Sequence, residues 1–276
     1  MPSSQIDRLQ PAAKLSPDND RGIDRVVNVL GRARRLLFIT GAGMSADSGL
    51  PTYRGQDGLY RAQQSTAHGL SIEQALSGPM LRLRPDITWH YLLELERSTR
   101  GAAPNRGHHV IAEMDRYFDA VWVLTQNVDG LHRRAGSRNV LDVHGNLREL
   151  QCTKCGSQST VDTYAHLSIP PRCPECQGLI RPKVVLFGED LPNEKLERLW
   201  YEFGAGFDAI FSVGTSSLFE YIIEPVRMGQ AMGIPTFEIN PESTTVSDLV
   251  DVRIAEKAAT ALDLIWERYL AWWPWS

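Results

Sequence analysis

Four cysteines carry the most specific chemical signal in the chain, and all of them fall between positions 152 and 176. Their spacing is Cys152-x2-Cys155, seventeen residues, then Cys173-x2-Cys176. Each C-x-x-C sets two sulfurs on one tight knuckle, and two knuckles complete a tetrahedron around a borderline-soft cation such as zinc. Lys154, Gly156 and Pro174 suit the turns that such knuckles need. Four thiolates leave no open coordination position, so a metal held there is structural and supplies no activated water. The competing readings are four free thiols, two disulfides, or a zinc ribbon that reads nucleic acid. The intervening QSTVDTYAHLSIPPR holds a single arginine, which argues against the last of these.

A second chemistry-bearing stretch is FITGAGMSADSGLPTYRG, residues 38 to 55. An apolar run ending in Gly41-Ala42-Gly43 permits a sharp strand-to-helix turn and lets backbone amides approach a pyrophosphate. The fingerprint then breaks. Ala46 stands where a third glycine belongs, and Gly49 and Pro51 interrupt the helix that should follow. The segment reads instead as a flap. In it, Arg54 can clamp phosphate bidentately and Tyr53 can cover a ring or exclude water. The bland alternative is a glycine turn that binds nothing and a solvated arginine.

Two strand ends are polar. Gln126, Asn127 and Asp129 crowd the end of the WVLTQ run, where burial is costly unless hydrogen bonds are found; a ribose and a carboxamide would supply them. Asn and Asp before Gly130 also simply make a turn. In Leu141-Asp142-Val143-His144-Gly145, a histidine at a strand end is the natural base near neutral pH, and Gly145 would let a substrate approach. His132 is the weaker candidate, while His108 and His109 read as packing or surface residues at a helix start.

The elements that must hold these residues follow from the apolar pattern. Near-continuous apolar runs at 34–40, 119–126, 139–144, 207–214 and 234–240 predict strands covered on both faces. Helical periodicity at 22–33, 105–117, 192–203, 219–232 and 257–270 alternates with them, which predicts a doubly wound α/β sheet of the Rossmann-like kind. Residues 57–103 and 149–181 break the alternation and are expected to form a smaller helical and zinc-binding domain. The sheet domain then takes 22–56, 104–148 and 182–270, after a mobile leader of 1–21 and before an aromatic tail of 271–276. The chemistry belongs in the cleft at the carboxyl ends of the strands.

The 276 residues are 42% hydrophobic and 22% charged, ordinary for a globular protein. A net charge of −4 and a pI near 6 offer no basic field to nucleic acid or anionic membrane. No apolar run reaches the roughly 18 residues that a spanning helix needs. The polar, proline-bearing N-terminus lacks the apolar core of a signal peptide, so a cytoplasmic protein is expected.

Taken in order, GAGMSADSGLPTYRG, TQNVDGLH, LDVHG, the paired knuckles, RPKVVLFGEDLP (181–192), VGTSS (213–217) and FEIN (237–240) resemble the sirtuins, NAD-dependent protein deacylases. The resemblance spans residues 22 to 268. It implies that NAD is consumed as a co-substrate, and that the flap closes over it and forces the nicotinamide into a buried pocket. The carbonyl oxygen of an acylated lysine would attack the ribose carbon bearing nicotinamide. Asp129, with the backbone of Val128, would hold the carboxamide, and Asn127 and Gln126 the adjoining ribose. His144 would act as general base on a ribose hydroxyl, so that the acyl group ends on ADP-ribose. Gly41, Ala42, Gly43, Ser45, Tyr53, Arg54, Gly214, Thr215 and Ser216 would surround the phosphates and ribose. Asn240 matches a contact to the adenosine ribose, and Ala258 one to adenine. The backbone of Val185, Phe187, Gly188 and Glu189 would pair with the substrate peptide as an added strand. The resemblance also implies one structural zinc on Cys152, Cys155, Cys173 and Cys176, and an acylated-lysine protein or peptide as substrate; a monomer is expected.

Three departures matter. Tyr53 stands where phenylalanine is common, and LFEYIIEP after GTSS lacks an early proline. In DITWHYLLELER, the positions aligned with the Tyr-x-x-Arg of succinyl- and malonyl-preferring sirtuins are Trp89 and Leu92; a one-residue shift gives Tyr91 and Glu94. Neither choice supplies a cation for an acyl carboxylate, so a neutral acyl group is predicted, lying along Trp89 and Leu92. Mono-ADP-ribosyl transfer, a silent NAD sensor and a dehydrogenase are the alternative functions.

Overall fold

The computed structural model describes residues 15–52 and 69–272. Among them the strands are β1 (Arg35–Thr40), β2 (Ala120–Thr125), β3 (Asn139–Asp142), β4 (Gly145–Cys152), β5 (Gln158–Thr160), β6 (Ile180–Val184), β7 (Ala209–Val213), β8 (Thr236–Ile239) and β9 (Val252–Ile254). The helices are α1 (Pro17–Leu30), α2 (Ile72–Ala75), α3 (Gly78–Leu83), α4 (Pro85–Thr99), α5 (Arg106–Met114), α6 (Leu131–Ala135), α7 (Asn193–Gly204), α8 (Glu220–Ala231) and α9 (Ala258–Trp272).

Each long apolar run becomes a strand of one six-stranded sheet, ordered β3-β2-β1-β7-β8-β9. Every pairing in it is parallel. The runs are continuously apolar because both faces are buried. Leu36 and Phe38 of β1 pack with Ile23 and Val26 of α1, Val110 of α5 and Leu262 of α9. Leu37 and Ile39 point the other way, onto Leu199 of α7 and Ile222 of α8. Between β1 and β7 the strand order reverses direction, which leaves a crevice at their carboxyl ends.

Two elements differ from the sequence pattern. The first helix begins at Pro17, not 22, because Ser16 caps it by accepting from Asn19 N at 3.2 Å and proline suits the first helical position. Buried Asn19 then exchanges hydrogen bonds with Ala255 at 3.0 and 2.8 Å, so residues 17–21 belong to the sheet layer and not to a leader. The sixth strand, β9, went unpredicted. It is three residues long and exists by pairing with β8, too short to show any period of its own.

The smaller unit is an antiparallel sheet, β5-β4-β6, packed on α3 and α4 through Leu81, Trp89, Leu92, Leu150, Tyr164 and Val184. Its strands start at Gly145 and run to Val184, wider than the 149–181 span that the cysteines outline. Gly145 explains the join. Its φ is +81°, and a Cβ there would lie 1.8 Å from the Lys183 carbonyl oxygen. The glycine admits the neighbouring strand, not a substrate. Trp272, the first tryptophan of the tail, packs over Gly31; residues 273–276 lie outside the described residues.

Behind the crevice, His132 of α6 is buried with Nε2 3.0 Å from Thr40 Oγ1, and its ring lies 4.8 Å from that of His108. His108 Nδ1 accepts from Asn105 N at 3.3 Å, capping α5, while His109 is exposed. Burial lowers the His108 pKa to about 4, with His109 a smaller cause. Burial also holds His132 well below the ordinary range. Below pH ~6.5 the unfolded chain binds protons at both rings and the folded chain does not, so these rings cost stability as pH falls from about 6.5 toward about 4. Urea unfolding of the native chain is expected to show that loss, up to about 1.4 kcal/mol per pH unit for each ring. His108→Gln should flatten the slope; an unchanged slope would show that His108 is charged in the fold.

Candidate active site and metal centre

The crevice is floored by two backbone segments. After β1 the chain makes a 3₁₀ turn (Ala42–Ser48), and Gly43 N donates to the Gly214 carbonyl at 2.8 Å. A Cβ on Gly41 would lie 2.8 Å from Thr215 Cβ, and one on Gly43 2.8 Å from Gly214 Cα. The glycines of the loop are therefore required for the two loops to touch, whatever ligand they also admit. Thr215 is drawn in from two sides: its Oγ1 accepts from Gln126 Nε2 at 2.9 Å and its carbonyl from Asn240 Nδ2 at 3.1 Å. Ser216 beside it is exposed.

A second chain of hydrogen bonds ties β2 to the 3₁₀ turn. Asn127, 5% exposed, donates from Nδ2 to the Gly41 carbonyl at 2.9 Å and to Ser45 Oγ at 3.1 Å. Ser45 Oγ in turn donates to Asp129 Oδ2 at 2.8 Å. Asp129 Oδ1 accepts from Leu131 N at 2.9 Å. Burial raises the Asp129 pKa, against smaller opposing effects from these two donors. Asn127 and Asp129 line a cavity with Ala42, Ser45, Leu50, Pro51, Leu95, Ser98 and Thr99. Asn127 thus acts first as a strut for the loop, a role that its position in the sequence did not reveal.

His144 sits at the joint where β3 hands over to β4. Its Nδ1 is 3.0 Å from the Gln126 carbonyl oxygen. A carbonyl only accepts, so the proton is on Nδ1 and Nε2 carries the lone pair. Burial lowers the His144 pKa, and the bond to Gln126 partly restores it. The imidazole is therefore neutral and basic at one atom, as a general base near neutral pH must be. Tyr221, on the first turn of α8, places its hydroxyl 2.6 Å from that Nε2. The sequence offered only the absence of a proline there.

Other expected residues fall differently. Trp89 and Leu92 are 0% and 1% exposed in the core of the small unit, and the indole Nε1 donates to the Ile180 carbonyl at 3.0 Å. They line no acyl channel among the described residues, because α4 turns that face inward. Its cleft face is one turn later, at Leu95, Ser98 and Thr99, spaced i, i+3 and i+4 on the helix. Ala258 is 3% exposed and packs in the layer of α1, α5 and α9. Of the expected peptide-pairing backbone, Phe187 N donates to Leu76 O at 3.0 Å and Phe187 O accepts from Gly78 N at 3.1 Å, so both groups are spent within the chain. Val185 N donates to His144 O at 2.9 Å. Gly188 takes φ +78°, and the Glu189 side chain clamps Arg181 at 2.6 and 2.8 Å. Tyr53 and Arg54 lie outside the described residues.

The four cysteines converge. Sγ atoms of Cys152 and Cys176 are 3.5 Å apart, those of Cys155 and Cys173 are 3.7 Å apart, and all four lie within 4.8 Å of one another. Zinc–thiolate bonds of about 2.3 Å in a tetrahedron require sulfur–sulfur edges of about 3.8 Å, so the set fits zinc. Gly178 makes room for it: a Cβ there would stand 2.8 Å from Cys152 Sγ.

A family model described as the Sir2 family matches residues 41–220. NAD-dependent protein deacylase 2 of Pseudomonas aeruginosa is 48% identical over 244 residues, 87% of this chain and 94% of that protein. A crystal structure of a Sir2 homolog–NAD complex is similar with a TM-score of 0.80 at 32% identity, covering 90% of this chain and 94% of that one. A Sir2–p53 peptide–NAD+ complex gives a TM-score of 0.77 at 26% identity, over 89% and 98% of the two chains.

Native mass spectrometry of the purified chain is expected to find one zinc per molecule. Cys173→Ser should release it and lower the melting midpoint by about 5–10 °C, since metal binding here is folding free energy. A metal-free protein of unchanged stability would remove zinc from this site.

Proposed function

The chain belongs to the Sir2 family, and from that premise we propose that it is an NAD-dependent protein deacylase acting on neutral acyl groups of lysine side chains. Bound NAD would supply an activated ribose carbon, a departing nicotinamide and a ribose hydroxyl to receive the acyl group. The residues present suit that cofactor: a glycine floor at the reversal of strand order, and a half-buried carboxylate at Asp129 lining a cavity.

The observation that carries the reading is the 3.0 Å contact of His144 Nδ1 with the Gln126 carbonyl, which assigns the tautomer. With Nδ1 committed to the Gln126 carbonyl, the one basic atom is Nε2, and it belongs to a strand end at the joint of the two units. Proton removal from a hydroxyl is the work that such an atom does. Asp129, three residues after Gln126, offers carboxylate oxygens to a carboxamide N–H. Ser45 Oγ and Leu131 N donate to it and fix its orientation, and Asn127 Nδ2 holds Ser45 in turn. Gln126, Thr215 and Asn240 form one linked set along the cleft floor, suited to ribose hydroxyls. A peptide substrate would lie near Gly188, where the Phe187 backbone is already closed.

The preference for a neutral acyl group rests on α4. Its cleft face presents Leu95, Ser98 and Thr99, and the nearby Arg100 is held by Glu96 at 3.1 Å. None of the described residues lining that cavity is a cation, so a carboxylate desolvated there would lack a free partner. The same reading takes the enzyme as a cytoplasmic monomer, which light scattering would report at 30.9 kDa.

Incubation with NAD and a panel of acyl-lysine peptides, followed by mass spectrometry, is expected to yield O-acyl-ADP-ribose faster from acetyl or longer neutral chains than from succinyl. Faster succinyl removal would overturn the acyl preference. His144→Ala should lower the rate by about 10²- to 10⁴-fold while NAD binding persists. Retention of full activity in that variant would remove the base assigned here.

A further inference from the structure

We propose that Tyr221 is a positioning residue for acyl transfer: its phenol caps the basic atom of His144 in the free enzyme and is displaced by the hydroxyl that the imidazole activates. The inference rests on the reading of His144 as general base.

The geometry leaves little choice of roles. His144 Nδ1 must donate to the Gln126 carbonyl at 3.0 Å, so Nε2 can only accept, and Tyr221 Oη at 2.6 Å is the donor. An imidazole nitrogen has one in-plane lone pair. A substrate hydroxyl that needs this lone pair cannot share it with a phenol at that distance. Burial pushes the Tyr221 phenol further above its usual range, so the group remains a donor across neutral pH.

The surroundings hold the phenol in place and also allow it to leave. Tyr221 stacks on Phe219 at 5.6 Å with 17° between the planes, and both rings meet the imidazole edge-on, at 6.0 and 6.3 Å. Rotation about the Tyr221 Cα–Cβ bond leaves the backbone of α8 untouched and releases the hydrogen bond to His144 Nε2. Phe219 and Leu218, 39% and 51% exposed, extend the aromatic wall outward beside the base, where the alkyl stem of a lysine could run. Charged neighbours are already paired. Asp142, two residues before His144, is held by Lys195 Nζ at 2.7 Å and by Arg133, and Glu220 beside Tyr221 pairs with Arg227. The phenol is thus the main adjustable influence on the ring.

Tyr221→Phe removes the donor and keeps the stack. A donor to Nε2 favours the neutral ring, so its loss should raise the His144 pKa in the free protein by about half to one pH unit, read by NMR titration of the ring. The acidic limb of kcat/KM, which reports free enzyme, should move up by the same amount, while that of kcat, which reports the complex, should stay. An unmoved NMR titration would show that no cap exists. Limbs that move together would show a phenol that remains bonded in the complex, and would equally sink the proposal. If His144→Ala proved fully active, the base assignment would fall, yet the NMR comparison in free protein would still decide whether Tyr221 caps the ring.

Discussion

At the reversal of strand order, two stretches of bare backbone lean on each other: Gly43 N–H meets the Gly214 carbonyl at 2.8 Å, with no side chain between them. Everything polar in the cleft is referred to that contact. It fixes the 3₁₀ turn over the end of β7, which brings Ser45 to Asn127 and Asp129 and sets Thr215 between Gln126 and Asn240. Substituting either glycine would force the loops apart by the width of a methyl group, and the hydrogen bonds would lose their geometry together. Buried polar networks of this kind are costly when partly satisfied and rigid when complete.

The same economy governs the join between the two units. The main chain passes from β3 through His144 into β4, and β6 returns to pair with it, Val185 N donating to the His144 carbonyl at 2.9 Å. The histidine is therefore held by its ring to the large sheet, through Gln126, and by its backbone to the small one. Gly145 lets the strands approach closely enough for that second hold. The cysteine knuckles lie at the other end of β4 and β6, and a closed four-sulfur site there would fix the register of the ladder on which the base hangs. A metal held there would act on the imidazole only through the strands that link them.

Much of this was legible in the residues. Five of the six large-sheet strands announce themselves because parallel strands buried on two faces must be apolar throughout, and the paired C-x-x-C knuckles admit few other uses. His144 and the Asn127–Asp129 turn stood out because polar groups at strand ends need a reason. Less legible were the features that depend on who sits opposite. The start of α1 at Pro17 is written in Ser16 and Pro17, but buried Asn19 makes sense only against Ala255. The face of α4 could not be read from its apolar pattern, since Trp89 and Leu95 are both apolar and both touch the core of the small unit; only the packing decides that Trp89 is buried against Tyr164 while half-buried Leu95 also borders the cavity.

By itself, then, the sequence determined the strand–helix alternation, the cysteine cluster and which side chains could do acid–base work, because periodicity and side-chain chemistry are local properties. The tertiary structure alone decided that the loop glycines serve a backbone contact, that Trp89, Leu92 and Ala258 are core, and that a tyrosine 77 positions away faces the base. These are meetings between segments distant along the chain, and closeness in space leaves no period or motif in either partner.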